Sequence, residues 1–321
     1  MKWISAKWCG CCLMVLGGLW ITTARGEAQV VEGDNGWLFL AQELRHLDAG
    51  SFWGEAAQRV SQATREDARD PTPAIVAFHQ ALAEKGITLL LVPVPPKALM
   101  MSEEVPEDKV SDEWGSALDT YYPMLREQGV QVVDLRDRFR EESPGRPYYC
   151  REDSHWSGAG CVAGAEVVAE AILELIPQGA SGYAVNWKDL EIQGDLRVMM
   201  GGENRELIAL REVTENGAIA STTADTSPVL VLGDSHTLVF HDGGDMHTQG
   251  AGFVDQLAYA LGQPVDLIGV RGSGATPARV SLFRKAQRIP GYWAGKKVVV
   301  WCFAAREFTE SDGWRVLPIE R

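Results

Sequence analysis

Beyond its first residues, this chain lacks any apolar run of the roughly 20 residues that a membrane span requires, so no later segment is expected to cross a bilayer. It has no internal period of 20–50 residues, which excludes a solenoid. Positive charge is in deficit: 30 Lys and Arg stand against 44 Asp and Glu, a formal net charge of −14. That balance excludes a general nucleic-acid binder. Metal-ligand spacing is missing as well. His236, His241 and His247, with Asp242 and Asp245 among them, match no such pattern and read as a polar loop. Cysteine is scarce, and three of the 6 (Cys9, Cys11 and Cys12) fall near the start. Acidic residues are absent from Leu267 to Arg306, a stretch that carries eight basic ones and could form a local basic face for an anionic ligand. What is present is ordinary for a globular protein: 45% hydrophobic and 23% charged residues in 321.

The N-terminal segment differs from the rest. Lys2 and Lys7 precede an apolar run from Trp8 to Ile21, followed by small residues between Thr22 and Ala28. This pattern predicts a secretory signal peptide over 1–28, with an uncleaved membrane anchor as the alternative. Export permits disulfides. Cys150 and Cys161 flank one short segment, and a bridge between them would restrain it; free buried thiols are the alternative reading. Cys302 lies in an apolar run and reads as core.

Apolar runs at Gly36–Leu40, Ile87–Val94, Val130–Leu135, Val229–Leu232, Pro264–Val270 and Lys297–Phe303 predict buried strands. Helical spacing is read over Ala74–Lys85, Ala159–Ile176, Phe253–Leu261 and Pro277–Arg288, and Phe52–Asp70 is helix-compatible. Strands alternating with helices predict an α/β domain over 29–321, with a mostly parallel sheet and helices on both faces. The stretch 186–220, rich in Gly and charge, reads as an irregular insertion. In such sheets ligands bind beyond the carboxyl ends of the strands.

The chemistry-bearing residues sit at those positions. Gly233-Asp234-Ser235-His236 directly follows an apolar strand, which would present a serine hydroxyl on a tight turn; an ordinary helix cap is the bland alternative. A serine hydroxyl needs a base, and the base needs a carboxylate to fix its tautomer. Asp153-Ser154-His155-Trp156 supplies both, since residues i and i+2 of an extended segment project to one side. The expected roles are Ser235 as nucleophile, His155 as base and Asp153 as orienting acid. His236 is expected to line the pocket, Trp156 and Trp301 to stack on sugar rings or to pack, and Lys97 to face solvent or the site.

Several motifs, in order, resemble the alginate O-acetyltransferase (AlgJ/AlgX-like) group of SGNH hydrolase-like proteins. They are Glu32-Gly33-x-x-Gly36-Trp37-Leu38-Phe39-Leu40, Val92-Pro93-Val94-Pro95-Pro96-Lys97, Asp153-x-His155-Trp156, Gly233-Asp234-Ser235 and Lys296-Lys297-Val298-Val299-Val300-Trp301-x-Phe303-Ala304-x-Arg306-Glu307. The likeness spans roughly 31–317. It implies an SGNH hydrolase-like (flavodoxin-like) fold and an exported, periplasmic enzyme that moves acetyl groups onto an exopolysaccharide through an acyl-serine, with no metal or cofactor. It further implies a polysaccharide acceptor, an acetyl donor supplied by a membrane acyltransferase partner, and a membrane-associated export complex. Oxyanion donors are expected from Ser235 and from Gly272 or Gly274, with Arg271 holding an oxyanion or an anionic ligand. The carbohydrate-binding module that some members carry is not expected after Glu307. A carbohydrate acetylesterase would use the same triad with water as acceptor, and a non-catalytic scaffold would carry it idle.

Overall fold

The protein is described by a computed structural model covering residues 29–141 and 145–320. The segment 1–28, read as a signal peptide or anchor, lies outside the described residues. Among the described residues no helix is long and apolar enough to cross a membrane.

Ten strands run through the described residues. Strands β1 (Val30–Glu32) and β2 (Leu38–Leu40) pair antiparallel. They are followed by β3 (Thr88–Val94), β4 (Gln131–Val132), β5 (Ala184–Ile192), β6 (Glu206–Glu215), β7 (Ala218–Ile219), β8 (Val229–Gly233), β9 (Asp266–Gly269) and β10 (Val298–Ala304). The main helices are α1 (Ala41–Asp48), α2 (Pro71–Ala83), α3 (Ser116–Glu127), α4 (Gly158–Leu173), α5 (Phe253–Leu261) and α6 (Thr276–Arg288).

The central sheet has the order β4-β3-β10-β8-β9, with every pair parallel. Its strands are apolar almost throughout because both faces are covered. Side chains alternate between those faces. Leu90, Val92, Val231, Val300 and Cys302 join one core, with α4 and α5. Leu89, Leu91, Leu232, Val299 and Trp301 join the other, with α2, α3 and α6. Each such buried aliphatic side chain contributes about 1.5–3 kcal/mol. Helix starts follow local chemistry. Asp70 accepts from Thr72 N at 2.9 Å, with Pro71 opening α2. Ser157 caps α4 by accepting from Ala159 N and Gly160 N.

Three expectations need correction. The stretch read as irregular at 186–220 is an antiparallel sheet, in which β5 and β6 pair over nine positions and β7 joins β6. Its strands are half exposed, so their inward residues (Ile192, Ile208, Leu210 and Val213) are diluted by outward charge. Phe52–Asp70 holds only short turns and the single helical turn Ala57–Val60. There Arg69 binds the carbonyls of Ala63 and Gln58, and Asp70 accepts from Gly54 N, which pins the chain in a non-helical course. At Val130–Leu135 only β4 pairs with the sheet. Asp134 accepts from the backbone and guanidinium of Arg136 and turns the chain away.

Cys150 and Cys161 are both free and buried, with no disulfide. The Cys150 thiol donates to the Trp156 carbonyl at 3.6 Å. The Cys161 sulfur, on α4, meets the Phe253 backbone of α5 instead. The segment between them is restrained by hydrogen bonds.

Candidate active site

Ser235 stands at the carboxyl end of β8, where the chain must pass very close to its neighbour. A Cβ on Gly233 would lie 2.0 Å from the Cys302 carbonyl of β10, so only glycine fits there. Asp234, fully buried, accepts from His236 N at 2.9 Å and from Ala304 N, at the end of β10, at 2.7 Å. Burial alone would raise the Asp234 carboxyl; the His236 imidazole and these N–H groups hold it below the usual range. The turn is thereby tied to the central strand, and the partly exposed Ser235 hydroxyl faces outward.

His155 meets it from the other side of the cleft. Its Nε2 lies 2.8 Å from Ser235 Oγ, and its Nδ1 lies 2.7 Å from Asp153 Oδ1. The same carboxylate oxygen accepts His155 N at 3.0 Å. Desolvation disfavours a charged His155, but the Asp153 carboxylate outweighs it and the imidazole titrates above its usual range. Asp153 is also desolvated, yet its own pKa is held well below the carboxylate range by the imidazoles of His155 and His247.

The backbone of this segment is fixed from beneath. Lys97 is buried and donates to the carbonyls of Leu38 (2.6 Å), Arg151 (3.0 Å) and Asp153 (2.9 Å). The rings of Trp37 and Phe39 pack over its ammonium at 5.2 and 5.3 Å. Glu206, on β6, accepts from Arg151 N and Glu152 N. The short helix Asp195–Met199 closes on the same segment. Asp195 N donates to Asp153 Oδ2 at 2.9 Å, and the Asp195 carboxylate accepts from Ser154 N and Oγ. Gly194 permits this approach, since a Cβ there would meet the Glu152 carbonyl at 2.1 Å.

A cavity of about 590 Å³ opens over Ser235 and His155. Gly272 and three arginines (Arg45, Arg271 and Arg306) line it. Arg271 is paired with Asp242 at 2.9 Å and Asp245 at 2.7 Å. Asp153, His155 and Asp195 bring donor atoms within 4.8 Å of one another, a set that a metal could use. Nδ1 of His155 and both oxygens of Asp153 are already engaged in hydrogen bonds, so this donor set fits a proton relay better than an ion.

Of the residues named from the sequence, Ser235, His155, Arg271 and Gly272 line this cavity, and Asp153 lies buried behind His155. Trp156 does not. It is fully buried, stacked on Phe253, and donates from Nε1 to the His236 carbonyl at 3.1 Å, with no face left for a sugar. Trp301 is equally buried. His236 is buried behind His155, its ring 4.8 Å away, and burial lowers its pKa. Gly274 packs on Phe303, and its carbonyl accepts from Trp301 Nε1. Lys97 faces neither solvent nor the cavity. The residues that sequence reasoning missed are Asp195, which the β5–β6 sheet delivers, and His247, whose Nε2 lies 3.1 Å from Asp153 Oδ2. The only trace of His247 in the sequence is a histidine in a glycine-rich polar loop.

Residues 30–305 match the family model described as SGNH hydrolase-like domain, acetyltransferase AlgX. The chain is 30% identical over 127 residues to the alginate biosynthesis protein AlgX of Pseudomonas fluorescens, covering 35% of this chain and 26% of that protein. It is 23% identical over 160 residues to the probable alginate O-acetylase AlgJ of Azotobacter vinelandii, covering 49% of this chain and 38% of that one. The matched stretches thus span well under half the length of these relatives. In structure it is similar to the O-acetyltransferase domain of Pseudomonas putida AlgJ (TM-score 0.64, 19% identity, 87% of this chain and 92% of that one). It is likewise similar to Pseudomonas aeruginosa AlgX (TM-score 0.60, 18% identity, 88% and 66%). At these identities the structural likeness establishes the SGNH hydrolase-like fold.

Proposed function

The chain belongs to the SGNH hydrolase-like AlgX acetyltransferase family, and from that premise we propose that it is a serine-dependent O-acetyltransferase acting on an exported acidic polysaccharide of the alginate kind. The observation that carries this reading is the continuous chain Ser235–His155–Asp153, with contacts of 2.8 and 2.7 Å at the carboxyl end of a parallel sheet.

In this reading His155 Nε2 takes the Ser235 proton as Oγ attacks the acetyl carbonyl of the donor. The carbonyl π electrons move to oxygen, and the negative charge is met by the backbone N–H groups of Ser235 and Gly272. The tetrahedral adduct collapses, the donor's leaving oxygen takes the proton from His155, and acetyl-Ser235 remains. A sugar hydroxyl then enters, gives its proton to His155 and attacks the acetyl carbonyl; the adduct collapses, and Ser235 Oγ leaves and takes that proton from His155. Asp153 keeps the tautomer that leaves Nε2 free to accept and stabilises the imidazolium at each step. The three cavity arginines support an anionic acceptor, despite the acidic whole. The basic and apolar pattern of residues 1–28 supports a signal peptide, or else an anchor, ahead of an exported, periplasmic domain over 29–321. The family likeness supports a membrane acyltransferase partner as the source of acetyl groups within an export complex.

The test uses para-nitrophenyl acetate with and without acidic oligosaccharide. Wild type is expected to carry acetyl label on Ser235 and to yield acetylated oligosaccharide by mass spectrometry. Ser235→Ala is expected to do neither. Acetyl released only to water would favour the acetylesterase. Equal behaviour of both proteins would leave a scaffold.

A further inference from the structure

Asp153 has four hydrogen-bond donors, and one of them belongs to no ordinary turn. Its Oδ1 takes both N–H groups of His155, while its Oδ2 takes Asp195 N and Nε2 of His247. A carboxylate only accepts, so Nε2 of His247 carries the proton and donates.

The backbone under His247 is unusual. Its φ of 72° and ψ of −59° and the bond from Thr248 N to the Met246 carbonyl at 3.0 Å define a γ-turn of the strained, positive-φ kind. Such conformations persist where the surroundings over-determine them, and they gather at functional sites. Here the surroundings are visible. The Phe240 ring lies tilted against that of His247, centroids 5.6 Å apart, and Phe240 itself has a φ of 60°. Phe240 N binds the Met246 carbonyl, and Gly243 N binds the Thr248 carbonyl. The same loop sends Asp242 and Asp245 to Arg271 and Met246 to the cavity wall.

We infer that His247 is a positioning residue of the triad: its Nε2–H holds the second oxygen of Asp153, and the strained turn that carries it fixes the carboxylate plane toward His155. This rests on the serine-dependent reading above. The loop would thereby join the base side of the site to the arginine side. A residue serving only to pack the loop would not change how the base titrates. Asp153, Asp195, Arg306 and His236 face His155, and Glu191, Asp195, Arg205 and Asp245 line the side cavity that His247 borders. All of these persist when His247 is replaced, so a shift in titration would report the lost donor.

The experiment compares wild type, Ser235→Ala, His247→Ala and His247→Gln, each checked for a cooperative thermal melt, by hydrolysis of para-nitrophenyl acetate from about pH 5 to 9. Removing one hydrogen bond to a charged group predicts a fall in kcat of about 10- to 100-fold for His247→Ala. KM is expected to stay within about twofold, because the loss arises in the chemical step and not in binding. The acid limb of kcat/KM is expected to move to higher pH, because a carboxylate with one donor fewer keeps more of its charge for the imidazolium of His155. His247→Gln, whose amide N–H can donate to Oδ2, is expected to recover most of the rate and the limb position. A folded His247→Ala with wild-type kcat and limb would overturn the inference. So would an equal loss in His247→Gln with an unmoved limb. Should Ser235→Ala hydrolyse the ester as fast as wild type, the fault would lie with the serine reading itself.

Discussion

The two walls of the cavity are built differently. On the Asp153 wall nearly every polar atom has a buried partner: Lys97 under three carbonyls, Glu206 under two N–H groups, and four donors on one carboxylate. On the opposite wall Arg271 is half exposed and is held by two equally exposed aspartates. Exposed pairs of that kind are worth little, while a buried, fully satisfied network holds one geometry. The contrast separates the tasks. Proton transfer needs atoms placed to a few tenths of an ångström, whereas the anionic acceptor proposed above would be met by charge that can shift.

Three substitutions sharpen this contrast. Asp153→Asn keeps the shape of the buried wall but spoils the histidine tautomer. Ester turnover is expected to fall about 10⁴-fold with little loss of fold, checked by kcat together with circular dichroism. Glu307→Gln probes the base of the open wall, where Glu307 accepts from Ser273 Oγ, one residue beyond Gly272. Burial pushes its pKa from 4.5 up to about 7. Below 4.5 the folded and unfolded chains are both protonated there. As pH rises towards 7 the unfolded chain ionises first, so stability drains away, by about 3 kcal/mol once above 7. The Gln variant is therefore expected to match wild type in acid and to melt higher at alkaline pH. A melting difference that does not vary with pH would contradict this. Arg271→Ala, on the exposed rim, is expected to cost under about 1 kcal/mol in urea unfolding. Its main effect is expected to be a few-fold rise in KM for an acidic oligosaccharide. A large loss of stability there would erase the contrast between the walls.

Much of this was legible in the sequence. Fully buried parallel strands are continuous apolar runs, so β3, β8 and β10 stand out, and Phe253–Leu261 is bounded as α5. Asp153 and His155, two residues apart, carry their own geometry, as does Ser235 behind its glycine. What escaped depended on distance. Asp195 reaches Asp153 only because a half-exposed sheet folds back, and half-exposed strands spread charge through their pattern. His247 arrives on a strained turn, which no local preference announces. Lys97 looked solvent-facing because a lysine is normally hydrated. Nothing in its neighbourhood shows that Leu38, Arg151 and Asp153 will turn three carbonyls toward it. The tryptophans stood open between sugar platform and packing because sequence does not reveal which side of an indole is covered; both pack.

Strand β10 lies in the middle of the sheet although it comes last among the strands. It alone bridges β3 and β8, which make no ladder with each other. Without β10 the sheet would be two unjoined ladders, with Ser235 on one and the Lys97-anchored histidine beside the other. The arrival of residues 298–304 completes the ladder between them, beside the packing of Trp156 on Phe253. The ladder that carries the nucleophile and the one beside its base are thus joined through the strand that comes last in the chain.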